Sequence, residues 1–188
     1  MKHYPSLFSP VRIGSQVLKN RIIMPAMGSN NCNLDGSVSP AVVAHYAKRA
    51  RGGAGMIIIE ITSVDYPAGC GGPVQLRLND PGVIPGFRAI ADSVHPYGAK
   101  LIAQLHHAGL RAFPKPGVKI VGPVDNLSGK VPVYGMTKED IADLTAKFAK
   151  AAKHAQIAGL DGVELHAGHG YLFSQFLSPL TNTRTDEY

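Results

Sequence analysis

Four short apolar runs, each closing in polar residues and each separated from the next by a helical segment, constrain this chain most. They are Ile22-Ile23-Met24 within residues 20–27, Met56 to Ile61, Leu101 to Leu105, and Gly162 to His166. Continuous apolar runs, rather than alternation, suit parallel strands covered on both faces. The segments between them have legible helix ends. Ser39-Pro40 supplies an N-cap and a proline at the first helical position of a helix running through Tyr46 to Arg51, which Gly52-Gly53 stops. Ile84, Phe87, Ile90, Ala91 and Val94 mark a second apolar stripe that ends near Pro96 and Gly98. Thr137 caps a third helix, with Glu139 and Asp140 in its first turn. Ile141, Leu144, Phe148, Ala152 and Ala155 hold helical spacing along it, and Gly159 stands at its end.

Ahead of these, Val11-Arg12-Ile13 and Gln16-Val17-Leu18 flank Gly14-Ser15, a two-residue hairpin turn. A hairpin followed by βαβαβαβ predicts a parallel α/β fold. A doubly wound sheet and a (β/α)8 barrel both fit this order, and periodicity does not separate them. Only four strands occupy the residues after Asn20, so eight such units need about twice the length. On the barrel reading, these residues are half of one.

The 188 residues, 45% hydrophobic and 17% charged, suit one domain with a sizeable core. No apolar run approaches the roughly 20 residues that span a bilayer. The N-terminus lacks the apolar stretch and small-residue cleavage site of a secretory signal. A soluble, cytoplasmic protein without membrane or nucleic-acid partners is therefore the expectation. The net charge of +6 is scattered, and its densest run, Lys48-Arg49 to Arg51, falls short of a nucleic-acid footprint. Such a charge suits an anionic cofactor or substrate, or a solvated face. Cys32 and Cys70 lie outside any metal-ligand spacing and read as free thiols.

In parallel α/β folds chemistry collects at the carboxyl ends of the strands. Strand one ends in Pro25-Ala26-Met27-Gly28 and strand two in Glu60-Ile61-Thr62. Strand three ends in Gln104-Leu105-His106-His107 and strand four in His166-Ala167-Gly168-His169-Gly170-Tyr171. Four of the eight histidines therefore fall on two strand ends. His166 and His169 can aim two N–H donors at one acceptor, as an oxyanion-stabilising pair does, and Tyr171 can donate a proton beside them. Gln104 suits the edge of an amide-like heterocycle or a neighbouring backbone group. Glu60 reads as a structural ion-pair partner ahead of a site carboxylate. Gly52-Gly53-Ala54-Gly55 precedes a strand rather than following one, which excludes the dinucleotide fingerprint.

Leu7-Phe8-Ser9-Pro10, Leu18-Lys19-Asn20-Arg21, Gln104 to Gly109, Asp161 to His166 through Gly170-Tyr171, Phe176-Leu177-Ser178-Pro179 and Thr183 to Tyr188 occur in order over nearly the whole chain. Together they resemble the Old Yellow Enzyme family of NADH:flavin oxidoreductases. Met24 to Gly28 with Gln104 to His107 are most similar to its 2,4-dienoyl-CoA reductase, enoate reductase and bile-acid oxidoreductase branch. The resemblance implies that residues 1–188 form the N-terminal half of an FMN-binding TIM barrel, its first four βα units following a hairpin. FMN would lie across the carboxyl mouth, lined by Pro25, Ala26, Met27 and Gly28, with Ile61 beside it and Gln104 on its pyrimidine edge. His166 and His169 would hold the carbonyl oxygen of an enone, enoate or enoyl thioester, and Tyr171 would match the proton donor. NAD(P)H would be the reductant and no metal would be required; FAD and a 4Fe-4S cluster belong only to longer members of that branch.

Two features depart from the family pattern. Gly28 stands where members often carry Cys or Thr, and members continue past Tyr188 into the second half of the barrel, with its later basic residue and phosphate loops. Self-association or a complementing C-terminal half is the corresponding expectation. The alternatives are a non-catalytic half-barrel that binds no flavin, and a metal-dependent barrel hydrolase using His106, His107, His166 and His169.

Overall fold

The sequence places Pro immediately after Met24, and Pro has no N–H to give to a ladder. In the computed structural model the first core strand accordingly stops there. Residues 4–128 and 130–188 are described; Met1–His3, the start of the segment read above for a secretory signal, lie outside them. In chain order the elements begin with α1 (Pro5–Phe8), the hairpin β1 (Val11–Ile13) and β2 (Gln16–Leu18), β3 (Ile23–Met24), α2 (Pro40–Arg51), β4 (Met56–Ser63) and β5 (Leu76–Arg77). There follow α3 (Ile84–Val94), β6 (Lys100–His106), β7 (Ile120–Gly122), β8 (Val133–Gly135), α4 (Lys138–Ile157), β9 (Gly162–Leu165) and α5 (Leu172–Leu177).

The predicted helices form with the predicted caps. Ser39 Oγ accepts from the Val42 N–H, and Thr137 and Asp140 form a reciprocal capping box. Gly159 takes φ +86°, which lets the chain leave α4 and turn toward β9.

Strand order settles which α/β architecture this is. The main sheet runs β3-β4-β6-β9, every pair parallel. A doubly wound sheet reverses direction at a switch point. Here each strand adds on the same side of its predecessor, and α2, α3 and α4 pack into one layer over the same face. This is the singly wound arc of a barrel. Its core lies between sheet and helices: Ile57 and Ile59 from β4 and Leu101, Ala103 and Leu105 from β6 meet Tyr46, Phe87, Ile90, Leu144 and Phe148. The alternate residues of β6 and β9, Gln104 and Glu164 among them, face the opposite, inner side.

At the amino ends of the strands Asp161 fastens the arc. Its carboxylate accepts from Lys100 Nζ at 2.8 Å and from the Leu101 N–H at 2.9 Å, and it pairs with His95 Nε2 at 2.8 Å.

Two features differ from the sequence reading. The short strands β5, β7 and β8, two or three residues each, lie in the strand-to-helix connections, where so few residues leave no periodic pattern. β4 carries a bulge: Ile59 faces Ala103 and Thr62 faces Leu105, so β4 spends one extra residue there. Bulges re-aim side chains, and this one falls on Glu60 and Ile61.

Candidate active site

Glu60 was expected to be an ion-pair partner, and the structure corrects this. No cation meets it. Its carboxylate instead accepts from the Ser29 N–H and from Ser29 Oγ at 2.6 Å, with Tyr46 Oη at 3.5 Å. The Tyr46 hydroxyl also accepts from the Glu60 N–H at 2.9 Å. Burial, then the Glu60 charge, pushes the Tyr46 phenol well above its ordinary range, so it remains a neutral donor. Glu60 thus ties the coil after β3 to the bulge of β4 and fixes Pro25–Gly28 along the carboxyl mouth. Pro25, Met27 and Gly28 are exposed there, while Ala26 and Ile61 are half-buried.

Gln104 stands one strand further on. Its Nε2 donates to Glu164 Oε1 at 2.7 Å, directly across the β6–β9 register. Of the two partners considered for it, a backbone group is therefore not the one found. Its Oε1 and second amide hydrogen stay available on the inner face.

At the end of β9 the polypeptide turns sharply. His169 at φ +58° and Gly170 at φ +70° are both left-handed, which folds His169 back over His166. A non-glycine residue held at positive φ is uncommon, and such conformations cluster at functional sites. The Arg111 guanidinium packs against Gly170, 3.1 Å from where a Cβ would lie.

The two imidazoles were expected to face a common external acceptor. In the structure their facing nitrogens meet each other instead, His169 Nδ1 to His166 Nε2 at 3.3 Å. One donates and the other accepts. Burial, reinforced by His169, holds the His166 pKa below its ordinary value, which favours the neutral imidazole at that position. An anionic oxygen entering between them would let both facing nitrogens carry N–H donors, with a tautomer change in one ring replacing the mutual bond.

Tyr171 completes the group. Its ring lies 5.1 Å from that of His166 and 4.4 Å, edge-on, from that of His106. It opens α5, whose Gln175 donates to the Ala108 and Gly170 carbonyls at 3.0 and 2.7 Å and accepts from the Leu110 N–H at 3.0 Å. Sequence reasoning missed Gln175. Its signal was a polar residue on the buried side of a short apolar helix.

His106 and His107 part company. His106 is fully buried under Tyr171, and burial, with His166 and His107 nearby, pushes its pKa down to about 3. His107 points the other way, accepting from the Gly109 N–H at 3.1 Å, with Nε2 3.8 Å from Asp65. The four histidines of the hydrolase alternative are therefore not gathered into one ligand set. Cys32, pushed up to about 11 by burial and then Glu60, and Cys70, raised mainly by burial, are protonated thiols at neutral pH.

Among the described residues no helix is long and apolar enough to cross a membrane.

The arrangement has known counterparts. Residues 6–188 match the model of the NADH:flavin oxidoreductase / NADH oxidase family. The chain belongs to this family. It is 46% identical over 193 residues to an NADH oxidase of Thermoanaerobacter brockii, covering all of this chain and 30% of that protein. It is 42% identical over 187 residues to an NADPH dehydrogenase of Listeria welshimeri, covering 97% of this chain and 54% of that one. The old yellow enzyme homologue from Zymomonas mobilis superposes with a TM-score of 0.88 at 33% identity, over 97% of this chain and 54% of its own. The family member described here thus has the half-barrel architecture its sequence implied, and it spans about a third to a half of the length of these relatives.

Proposed function

We propose that this family member forms the flavin-side half of an NAD(P)H-dependent oxidoreductase that reduces the C=C bond of an enone, enoate or enoyl thioester. The observation that carries the reading is the convergence of His166, His169 and Tyr171 at the carboxyl end of β9, the His169 and Tyr171 rings each centred 5.1 Å from that of His166. The high identity to a much longer NADH oxidase supports a place in the branch that extends beyond the barrel, where FAD and a 4Fe-4S cluster would reside.

The residues at the mouth fit FMN. A Cβ on Gly28 would meet nothing closer than Glu60 Oε2 at 4.0 Å, so the strip from Pro25 to Gly28 forms an open cradle for a flat heterocycle. Gln104 retains a free amide oxygen and N–H for its pyrimidine edge, and Ile61 packs beside it. The chemistry FMN would supply there is hydride transfer, from NAD(P)H to the substrate β-carbon. His166 and His169 bind the carbonyl oxygen and donate to it as enolate charge develops, which favours the transition state over the ground state. Tyr171 gives its hydroxyl proton to the α-carbon.

On the same reading β9 docks further βα units of the barrel, from a continuation of the chain or a complementing polypeptide. Its outer residues Val163 and Leu165 are exposed, and Leu165 borders an apolar cleft of about 490 Å³ between α4 and α5. Edges of this kind invite pairing.

The test is an anaerobic titration of the FMN-loaded protein with NADH or NADPH. The flavin bands should bleach and return on adding cyclohex-2-enone. Failure to bind FMN, or reduced flavin that the enone leaves reduced, would contradict the proposal.

A further inference from the structure

No acidic residue occurs between Asp92 and Asp125, while the connection that follows β6 carries Arg111, Lys115 and Lys119. Pro114 and Pro116 forbid a helix here, so contacts with neighbouring loops decide where the three cations go.

Those contacts are specific. The Arg111 guanidinium packs on Gly170, which stands between His169 and Tyr171 in the chain. The Phe113 N–H donates to the Cys70 carbonyl at 2.7 Å, fastening the segment to the β4–β5 connection. Lys115 Nζ then lies over the Tyr66 ring, 4.7 Å from its centroid, and Lys119 Nζ lies over the Tyr134 ring at 5.1 Å. Cation–π contacts hold an ammonium group in place without neutralising it. Among the described residues no carboxylate pairs with Arg111, Lys115 or Lys119. Asp125, the next acid along the chain, accepts from the Gly135 N–H at 2.7 Å. Positive charge at this rim is therefore uncompensated.

Beside the two lysines is a cleft of about 340 Å³, walled by Pro114, Val131, Pro132 and Tyr134, which is at the small end of ligand sites. Ile120 lines it too and belongs to the small apolar cluster against which Tyr171 packs, so the cleft is one side chain removed from the proton donor. Flat apolar walls next to two ammonium groups match a planar heterocycle joined to a polyphosphate.

We propose that this cleft seats an adenosine diphosphate group, its base against Tyr134 and the prolines and its phosphate oxygens accepting from Lys115 and Lys119 Nζ. Arg111 extends the positive charge to the turn that carries His169. The proposal rests on the oxidoreductase reading above, which brings two carriers of that group to this mouth: NAD(P)H, and an enoyl thioester of coenzyme A.

The test titrates ADP into the FMN-loaded protein by calorimetry. ADP should bind, and the double substitution Lys115→Gln with Lys119→Gln should weaken it about tenfold, or about 1.4 kcal/mol for two partly exposed charge contacts. Tyr134→Ala should weaken it about fivefold or more, the lower end for a lost base stack. Added salt should weaken binding to the parent more than to the double variant, since exposed charges are screened. Lys48→Gln, in the last turn of α2, controls for lost charge and should change nothing. The substituted side chains are exposed or half-buried, so melting temperatures should stay near that of the parent. KM values then assign the carrier. A rise for NADH or NADPH in the double variant, with cyclohex-2-enone unaffected, names the reductant; a rise for an enoyl-CoA but not for the matching pantetheine thioester names the substrate. Absence of ADP binding, binding indifferent to the lysines and to Tyr134, or binding that neither KM follows would overturn the site. Flavin that neither NADH nor NADPH reduces would instead overturn the oxidoreductase reading, and the ADP titration would still decide what the cleft takes.

Discussion

His166→Ala should lower kcat/KM for an enone by about 10²- to 10³-fold, the range typical of losing one oxyanion donor. FMN content should be unchanged, because His166 lies beyond the cradle formed by Pro25 to Gly28. The expectation comes from the contact between the two imidazoles, His169 Nδ1 to His166 Nε2 at 3.3 Å. Two groups that act together on one oxygen are not additive. The double substitution His166→Ala with His169→Ala should therefore lose little more than the single one. Steady-state kinetics with cyclohex-2-enone check both statements. A single variant within threefold of the parent would remove His166 from the chemistry, and strict multiplication of the two losses would mean that the histidines act separately.

Phe87→Ala should destabilise the fold by about 3–5 kcal/mol, the usual cost of emptying an aromatic site in a core. Phe87 is fully buried on the face of α3 that meets the sheet, within the cluster that includes Ile57, Leu101 and Tyr46. For a chain of this size, roughly 2–4 °C of melting temperature accompanies each kcal/mol, so thermal unfolding should show a drop of the order of 10 °C. Phe8 offers the control. It is 56% exposed at the end of α1, and its replacement by Ala should fall within about 0.5 kcal/mol of the parent. A Phe87 effect no larger than that of Phe8 would contradict the packing described.

The contrast between these two phenylalanines shows what was legible in the sequence. Phe87 sits in a stripe with Ile84, Ile90 and Val94, and helical periodicity alone marks it as core. Caps were equally plain, since Ser39 and Thr137 each stand one residue ahead of a helix and do what their side chains suggest. What periodicity does not encode is the face on which successive crossovers land, so the barrel arc had to come from strand order. The site divides in the same way. Strand-end position located Gln104, His166, His169 and Tyr171, because parallel strands present their carboxyl ends together. Orientation was not available: Glu60 turned to Ser29 and Tyr46 because a bulge re-aimed it, and His106 and His107 separated because β6 ends at His106 while His107 belongs to the loop, where it accepts from the Gly109 N–H. Gln175 was missed despite being a polar residue on a buried helix face, because its partners Ala108 and Leu110 lie far away in the chain.

Isotope labelling shows directly which substrate carbon receives the hydride and which the proton. Cyclohex-2-enone is reduced by the FMN-loaded protein with unlabelled NAD(P)H in deuterated water, and the product is analysed by NMR. With hydride reaching the β-carbon from NAD(P)H by way of the flavin and Tyr171 supplying a solvent-exchanged proton, deuterium should appear at the α-carbon in the parent protein and its incorporation should slow sharply in Tyr171→Phe. Deuterium delivered only to the β-carbon, or α-labelling at the same rate without the Tyr171 hydroxyl, would contradict this assignment.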